Sequence, residues 1–185
     1  MFQPRVKLEF VRRYCPPQKG WCVCVDIDPS EEGRTGGERK SAESLSRQLS
    51  MQGDAQRVRD EFKALSVNVG NRKNWCGDHN LPYLRGDPDI VAYDLCKKRC
   101  VVAEVEGVSS GQPEQKLYKA IGQMVCAAGD LPNGWQIRLA IVVYGDTIAD
   151  HLQRARVLAA LGISGLALAD DERADRWLFG EPVQP

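Results

Sequence analysis

The sequence predicts an α/β protein, a mixed β-sheet with helices on its faces. Three observations predict it. Two strand-like runs, residues 89–94 (DIVAYD) and 100–106 (CVVAEVE), flank a short turn at 95–99 (LCKKR) and read as an antiparallel hairpin. Residues 139–143 are continuously apolar, as expected of a strand buried on both faces. Between and after them, helix-period and strand-period segments alternate along the chain. The chain has 185 residues, 43% of them hydrophobic, which suits one solid core.

Taken in order, residues 1–40 read as an N-terminal extension and 41–185 as the main domain. Alternation over 6–11 (VKLEFV) predicts a strand, and 21–27 (WCVCVDI) a second; the break at Cys15-Pro16-Pro17 between them would make a β-hairpin. Residues 28–40 are rich in Gly and charge and read as an exposed loop. Two short helices follow. Leu45 and Leu49 mark the first, Gly53-Asp54 interrupts, and Asp54 is the expected N-cap of the second, which carries Ala55, Val58, Phe62 and Leu65. Residues 68–78 are turn-rich, and 80–85 continue as loop. After the hairpin, 113–128 is helical with Leu117, Ile121, Met124 and Ala128 on one stripe, 135–144 is a strand, 147–161 is a helix ended by Gly162, and 163–169 is a final strand. The tail is acidic and carries Trp177 and Phe179.

Composition excludes several classes. With 25 basic and 25 acidic residues, the net charge of zero excludes a uniformly basic nucleic-acid coat, though not a local basic groove. No apolar run is long enough to span a membrane. The start mixes Arg5, Lys7, Glu9, Arg12 and Arg13 with isolated apolar residues and lacks the apolar stretch of a secretory signal, so an intracellular location, cytoplasm or nucleus, is expected. The seven cysteines are an odd number in a chain of this size, and reduced thiols are the expected state. Structural zinc is the alternative, weakened by the single-residue spacer of Cys22-x-Cys24 and by the absence of a second half-site. There is no Gly-x-Ser-x-Gly elbow and no Gly-x4-Gly-Lys-Ser/Thr loop, and neither His79 nor His151 lies in a recognisable nucleophile arrangement.

The carboxylates carry the chemistry. In the second hairpin strand Val101, Ala103 and Val105 face one way, and Val102, Glu104 and Glu106 the other. Two glutamates on one face of an apolar strand are costly unless solvated, protonated or neutralised by a cation. Asp89 opens the partner strand, so Asp89, Glu104 and Glu106 can converge at one sheet edge. Three carboxylates with no His or Cys nearby suit a hard ion, Mg²⁺ or Mn²⁺. The plain alternative is a half-exposed hairpin with Glu104 and Glu106 on its solvent face.

Gly86-Asp87-Pro88-Asp89, followed on the next strand by Glu104-Val105-Glu106, resembles the PD-(D/E)xK nuclease superfamily, which includes restriction enzymes and junction resolvases. Its motif is Pro-Asp at the start of one strand and acid-x-Lys on the next, with a helix after it that often turns a Gln or Lys toward the site. The run Gln115-Lys116-Leu117-Tyr118-Lys119-Ala120-Ile121-Gly122-Gln123 is similar to that helix, and the resemblance covers roughly residues 54–169. It implies a restriction-endonuclease-like fold and a metal-dependent endonuclease that hydrolyses phosphodiester bonds, with DNA the expected substrate. It also implies roles: Asp89 and Glu104 hold a divalent ion, and Glu106 assists or recruits a second. Such an ion lowers the pKa of a water it holds and stabilises charge on the phosphoryl group. The chain departs from the motif at Glu106, which stands where the family has lysine. Some restriction enzymes carry glutamate there and remain active. Lys119 is the first candidate to replace it, Lys116 the second, and both are equally readable as surface lysines. Gln115 and Gln123 share a stripe with Lys119 and would position water or backbone. A family glutamate ahead of the hairpin would correspond to Glu61.

Arg72, Lys73 and Arg85 lie in the loops that lead into Asp89 and are candidates for positioning a nucleic-acid backbone; Trp75 and Tyr83 among them are candidates for stacking on bases. A solvated loop with partly buried aromatics is the alternative. Lys97-Lys98-Arg99 sits at the far end of the hairpin. Many relatives pair as homodimers to cut both strands. Two other functions fit the residues: a catalytically inactive nuclease-like module that binds or regulates a protein partner, and a metal-independent scaffold whose acids meet Arg138 on a neighbouring strand.

Overall fold

The N-terminal residues form a helix, not the strand that alternation predicts for 6–11: Gln3–Tyr14 is α1. The physical reason is legible in the residues. Pro4 occupies the first turn, where a missing N–H costs nothing. Glu9 meets Arg5 at 3.8 Å, Arg12 at 3.3 Å and Arg13 at 3.1 Å, pairings that only helical spacing allows. Val6, Leu8, Phe10 and Val11 are all buried. β1 (Trp21–Val25) follows where a strand is predicted. The expected N-terminal hairpin therefore does not form. α1 lies over the sheet and β1 enters it, so residues 2–27 belong to the main core.

The structure, a computed structural model, describes residues 2–27, 42–107, 113–128 and 132–183, and the side chains of 42–49, 113–116 and 127–128 lie outside that description. The loop expected at 28–40, the side chains of Leu45, Leu49 and Ala128, and those of Gln115 and Lys116 all fall outside it.

Ala42–Ala64 is one continuous helix, α2, where Gly53-Asp54 predicts a break. A glycine inside a helix costs about 1 kcal/mol, and burial of Ala55, Val58 and Phe62 outweighs it. Asp54 is not an N-cap but accepts from Arg57 at 3.3 Å on the helix surface. The turn-rich stretch forms β2 (Asn68–Val69) and a short helix, α3 (Arg72–Asp78). Buried Cys76 anchors α3, as does Trp75, whose ring lies 6.1 Å from that of Tyr93.

The predicted hairpin forms as β3 (Ile90–Asp94) and β4 (Arg99–Glu106). Then come α4 (Pro113–Ala128), β5 (Gln136–Tyr144) and α5 (Asp146–Arg154). The helix predicted to reach residue 161 ends early and passes into a 3₁₀ turn, Arg156–Leu161, closed by Gly162 at φ 72°. β6 (Ile163–Leu168) is as predicted, and β7 (Arg176–Phe179) is an additional strand formed by the tail.

The seven strands make one sheet in the order β2-β1-β3-β4-β5-β6-β7. β1, β2, β4, β5 and β6 run one way; β3 and β7 run against them. One apolar cluster joins α1 and α2 to Val23, Val25, Val101, Ala103, Val105, Ala140 and Val142. The other joins α3, α4 and α5 to Val91, Tyr93, Val102, Leu139, Ile141 and Val143. The sheet is thus covered on both faces, and β5 is buried on both, as its apolar run predicts. All seven cysteines are free thiols, with Cys15, Cys24, Cys76 and Cys100 buried. Among the described residues no helix is long and apolar enough to cross a membrane.

Candidate active site

The carboxyl ends of β1 and β4 lie at one edge of the sheet, beside the start of β3. Open α/β sheets generally bind ligands at the carboxyl ends of their strands. Asp89 stands at that edge. Gly86 (φ 93°) and Asp87 (φ 44°) turn the chain sharply ahead of Pro88, which leads into Asp89, the residue just ahead of β3. Both Asp89 oxygens are held. Oδ2 accepts the Val105 N–H at 2.8 Å, and Oδ1 meets Lys7 Nζ at 2.8 Å.

Glu104 lies beside it, on the α4 side of β4 by its alternation with Val102. It is 4% exposed, and its Oε1 has no hydrogen-bond partner among the described residues. Burial, and next the charge of Asp89, push its pKa up to about 9, while the charges of Lys7 and Lys119 pull the other way. A carboxyl group in that condition either keeps its proton at neutral pH or takes a cation in its place.

Lys7 is the residue that sequence reasoning missed. It is wholly buried, and besides Asp89 it donates to the Asp26 carbonyl at 2.7 Å. α1 packs on the opposite face of the sheet from α4, so Lys7 and Glu104 approach Asp89 from opposite sides. Its signal in the sequence was the helical stripe Val6, Phe10, Val11, which places a lysine among buried positions once α1 is read as a helix.

Glu106, the third carboxylate expected from the sequence, acts on Glu104 through its charge. Glu106 borders a small cavity with Leu117, Ile141, Val143, His151 and Leu152, between α4 and α5. Among the described residues no three His, Cys, Asp or Glu side chains stand close enough to hold a metal ion by themselves. Asp89 and Glu104 nevertheless fit a hard divalent ion: two adjoining oxygen donors, one of them buried and unsatisfied. Mg²⁺ is commonly bound through one or two carboxylates, with water and substrate phosphate completing its shell.

The other expected residues divide. Lys119 is exposed on α4 and acts on Glu104 through its charge. Gln123 donates to the Asp87 carbonyl at 3.1 Å, so it braces the turn ahead of Asp89. Arg72 braces the same turn from α3, donating to the Pro88 carbonyl at 2.9 Å and meeting Asp87 at 3.2 Å, with its guanidinium 5.9 Å from the Tyr83 ring centroid. Arg72→Ala is expected to cost about 1–3 kcal/mol by leaving the buried Pro88 carbonyl unpaired, read as a lower midpoint in thermal unfolding. Arg72, Lys73 and Tyr83 line a cavity of about 240 Å³ together with Asp26, Asn71 and Asp87. Arg85 is exposed on the same loop. Trp75 is half-buried, with its ring tilted against those of His79 and Tyr93 at 5.5 and 6.1 Å. Glu61 is held by Arg5 at 2.6 Å and Arg12 at 2.5 Å. Arg138 does not meet the acids; it pairs with Glu181 at 2.9 Å.

No protein-family model, curated protein or solved structure matches the chain.

Proposed function

We propose that this chain is a divalent-metal-dependent endonuclease that hydrolyses phosphodiester bonds in nucleic acid, with DNA the expected substrate. The observation that supports it is the pair Asp89 and Glu104 at the carboxyl edge of the sheet, with Glu104 Oε1 buried and without a hydrogen-bond partner among the described residues. The pair stands at the Pro-Asp and acid-x-x positions of the PD-(D/E)xK motif, on consecutive antiparallel strands followed by a helix. That agreement also supports a restriction-endonuclease-like fold.

Asp89 and Glu104 would hold Mg²⁺ or Mn²⁺, and the ion would supply an activated water and charge stabilisation for the phosphoryl group. The protein supplies the rest. The Val105 N–H and Lys7 fix the Asp89 carboxylate. Arg72 and Gln123 fix the turn that carries it. Arg72, Lys73 and Tyr83 face a cavity bordered by Asp26 and Asp87, next to the site, where an adjoining phosphate and an unpaired base would lie.

A second reading is favoured by one contact. The Lys7–Asp89 pair puts an internal cation on one of the two carboxylates. A site whose cation is built in would need no metal, and the chain would then be an inactive nuclease-like module that acts through a protein partner.

Cleavage separates the two. Plasmid, linear, single-stranded and branched DNA, and RNA, would be incubated with Mg²⁺, Mn²⁺ or EDTA. The nuclease reading expects cutting with metal, none with EDTA, and loss of cutting in Asp89→Ala at a temperature where that variant stays folded. It also expects binding that weakens steeply between 50 and 200 mM salt, roughly 10-fold or more for a few phosphate contacts. Intact substrates under every condition would favour the module.

A further inference from the structure

Glu106 occupies the position where the PD-(D/E)xK motif has its lysine, and Glu106 borders the cavity between α4 and α5. Among the described residues two other lysines come near the acids. Lys119 is exposed on α4, where no contact among the described residues fixes its position in the way that burial fixes Lys7. Lys7 is wholly buried, and its ammonium is fixed by the Asp89 carboxylate at 2.8 Å and the Asp26 carbonyl at 2.7 Å.

A lysine buried to this degree loses its hydration and its rotamer freedom. Its neighbours on α1 (Val6, Leu8, Phe10 and Val11) are apolar, and an apolar residue at position 7 would extend their packing without either loss. The lysine is instead spent on one carboxylate oxygen and on the last carbonyl of the strand end beside it. Those two acceptors lie one residue past the end of β1 and one residue ahead of β3, so one ammonium ties together the two strand ends that border the site. The Val105 N–H holds the other Asp89 oxygen. Between them, Lys7 and Val105 hold both oxygens and so set the carboxylate plane.

We infer that Lys7, from the helix ahead of the whole motif, is the positioning lysine of this site, acting through Asp89 in place of the residue that Glu106 displaces. The inference rests on the nuclease reading. It has a consequence that a purely structural lysine lacks. The ammonium and a divalent ion draw on the same carboxylate, so Lys7 weakens metal binding while it orients the ligand for turnover. Removing it therefore moves the two quantities in opposite directions.

The test measures Mn²⁺ affinity and cleavage rate in the wild type, Lys7→Met, Lys7→Arg and Lys119→Ala. For Lys7→Met the expected result is Mn²⁺ bound about 10-fold more tightly and a cleavage rate lower by roughly 100-fold. Lys7→Arg, which keeps the charge, is expected to hold Mn²⁺ as the wild type does and to recover part of the rate. If Lys7→Met fails to fold, the Arg variant decides alone: wild-type affinity with a rate between those limits supports the inference, and a fully wild-type rate overturns it. Affinity and rate falling together in Lys7→Met would mean a structural role and overturn it. So would a wild-type rate in Lys7→Met with the loss confined to Lys119→Ala, which would assign the role to Lys119. A wild type that neither binds Mn²⁺ nor cuts would bring down the nuclease reading itself, and the inference with it. Cutting by the wild type together with a fully active Lys7→Met brings down the inference alone.

Discussion

Glu104→Gln is expected to make the metal-free protein more stable at pH 8 and to abolish its metal-dependent cutting. The sign follows from the direction of the shift. Burial, then Asp89, raises the Glu104 pKa to about 9, whereas an unfolded glutamate titrates near 4.3. Between those values the folded state holds a proton that the unfolded state has released, so stability falls as pH rises through that window. The contribution is complete below about pH 4 and lost as pH climbs toward 9. Glutamine keeps the shape of the protonated acid and removes the titration. A single group changes stability by at most about 1.4 kcal/mol per pH unit. Sharing of charge with Asp89 and Lys7 reduces that, so a wild-type loss on the order of 2 kcal/mol between pH 6 and 9 is expected, or about 4–8 °C of midpoint for a chain of this size. Thermal unfolding across that range checks it: the wild-type midpoint should fall more steeply than the variant's. Parallel curves would mean that Glu104 is already charged in the folded state. Adding Mn²⁺ should recover the wild type at high pH and leave the variant unmoved.

Asp89→Ala should be the most damaging single change at the site. It strips the carboxylate partner from a wholly buried ammonium and leaves the Val105 N–H without the Asp89 acceptor. Breaking a buried ion pair from one side costs about 3–5 kcal/mol, which corresponds to roughly 10 °C of midpoint in a chain this long. Removing the lysine as well should return most of that loss, because the penalty is the orphaned charge and not the missing contact. A double-mutant cycle of Asp89→Ala with Lys7→Met, followed by denaturant unfolding, measures the coupling directly. Additive losses would mean that the two groups do not depend on each other in the folded protein.

The sheet was legible where the chain used strong local signals. The β3–β4 hairpin and β5 follow from runs of β-branched residues, and their burial follows from the same runs. The acids were legible for the same reason: a charged residue stands out on an apolar strand. Legibility failed where period two and period 3.6 agree over a few residues. Val6 to Val11 alternates well enough to suggest a strand, and the i, i+4 pairs of Gly-free, charge-rich α1 decide for a helix only when Arg5, Glu9, Arg12 and Arg13 are read together. That one substitution of helix for strand hid Lys7, since a residue's neighbours across the fold cannot be found before its element is known. Gly53 misled in the opposite direction, because the cost of a mid-helix glycine is local and the packing of Val58 and Phe62 that outweighs it is not. Glu106 could be placed on the same strand face as Glu104, but the cavity that it borders depends on how α4 and α5 lie against β5.

Mn²⁺ binding at the Asp89–Glu104 pair is the most direct test of this account. Electron paramagnetic resonance would titrate Mn²⁺ into the wild type, Asp89→Ala and Glu104→Gln, each with an uncleavable phosphorothioate oligonucleotide present to supply phosphate ligands. The account predicts bound Mn²⁺ in the wild type and its loss in both variants. Equal binding by all three, or none by the wild type, would contradict it.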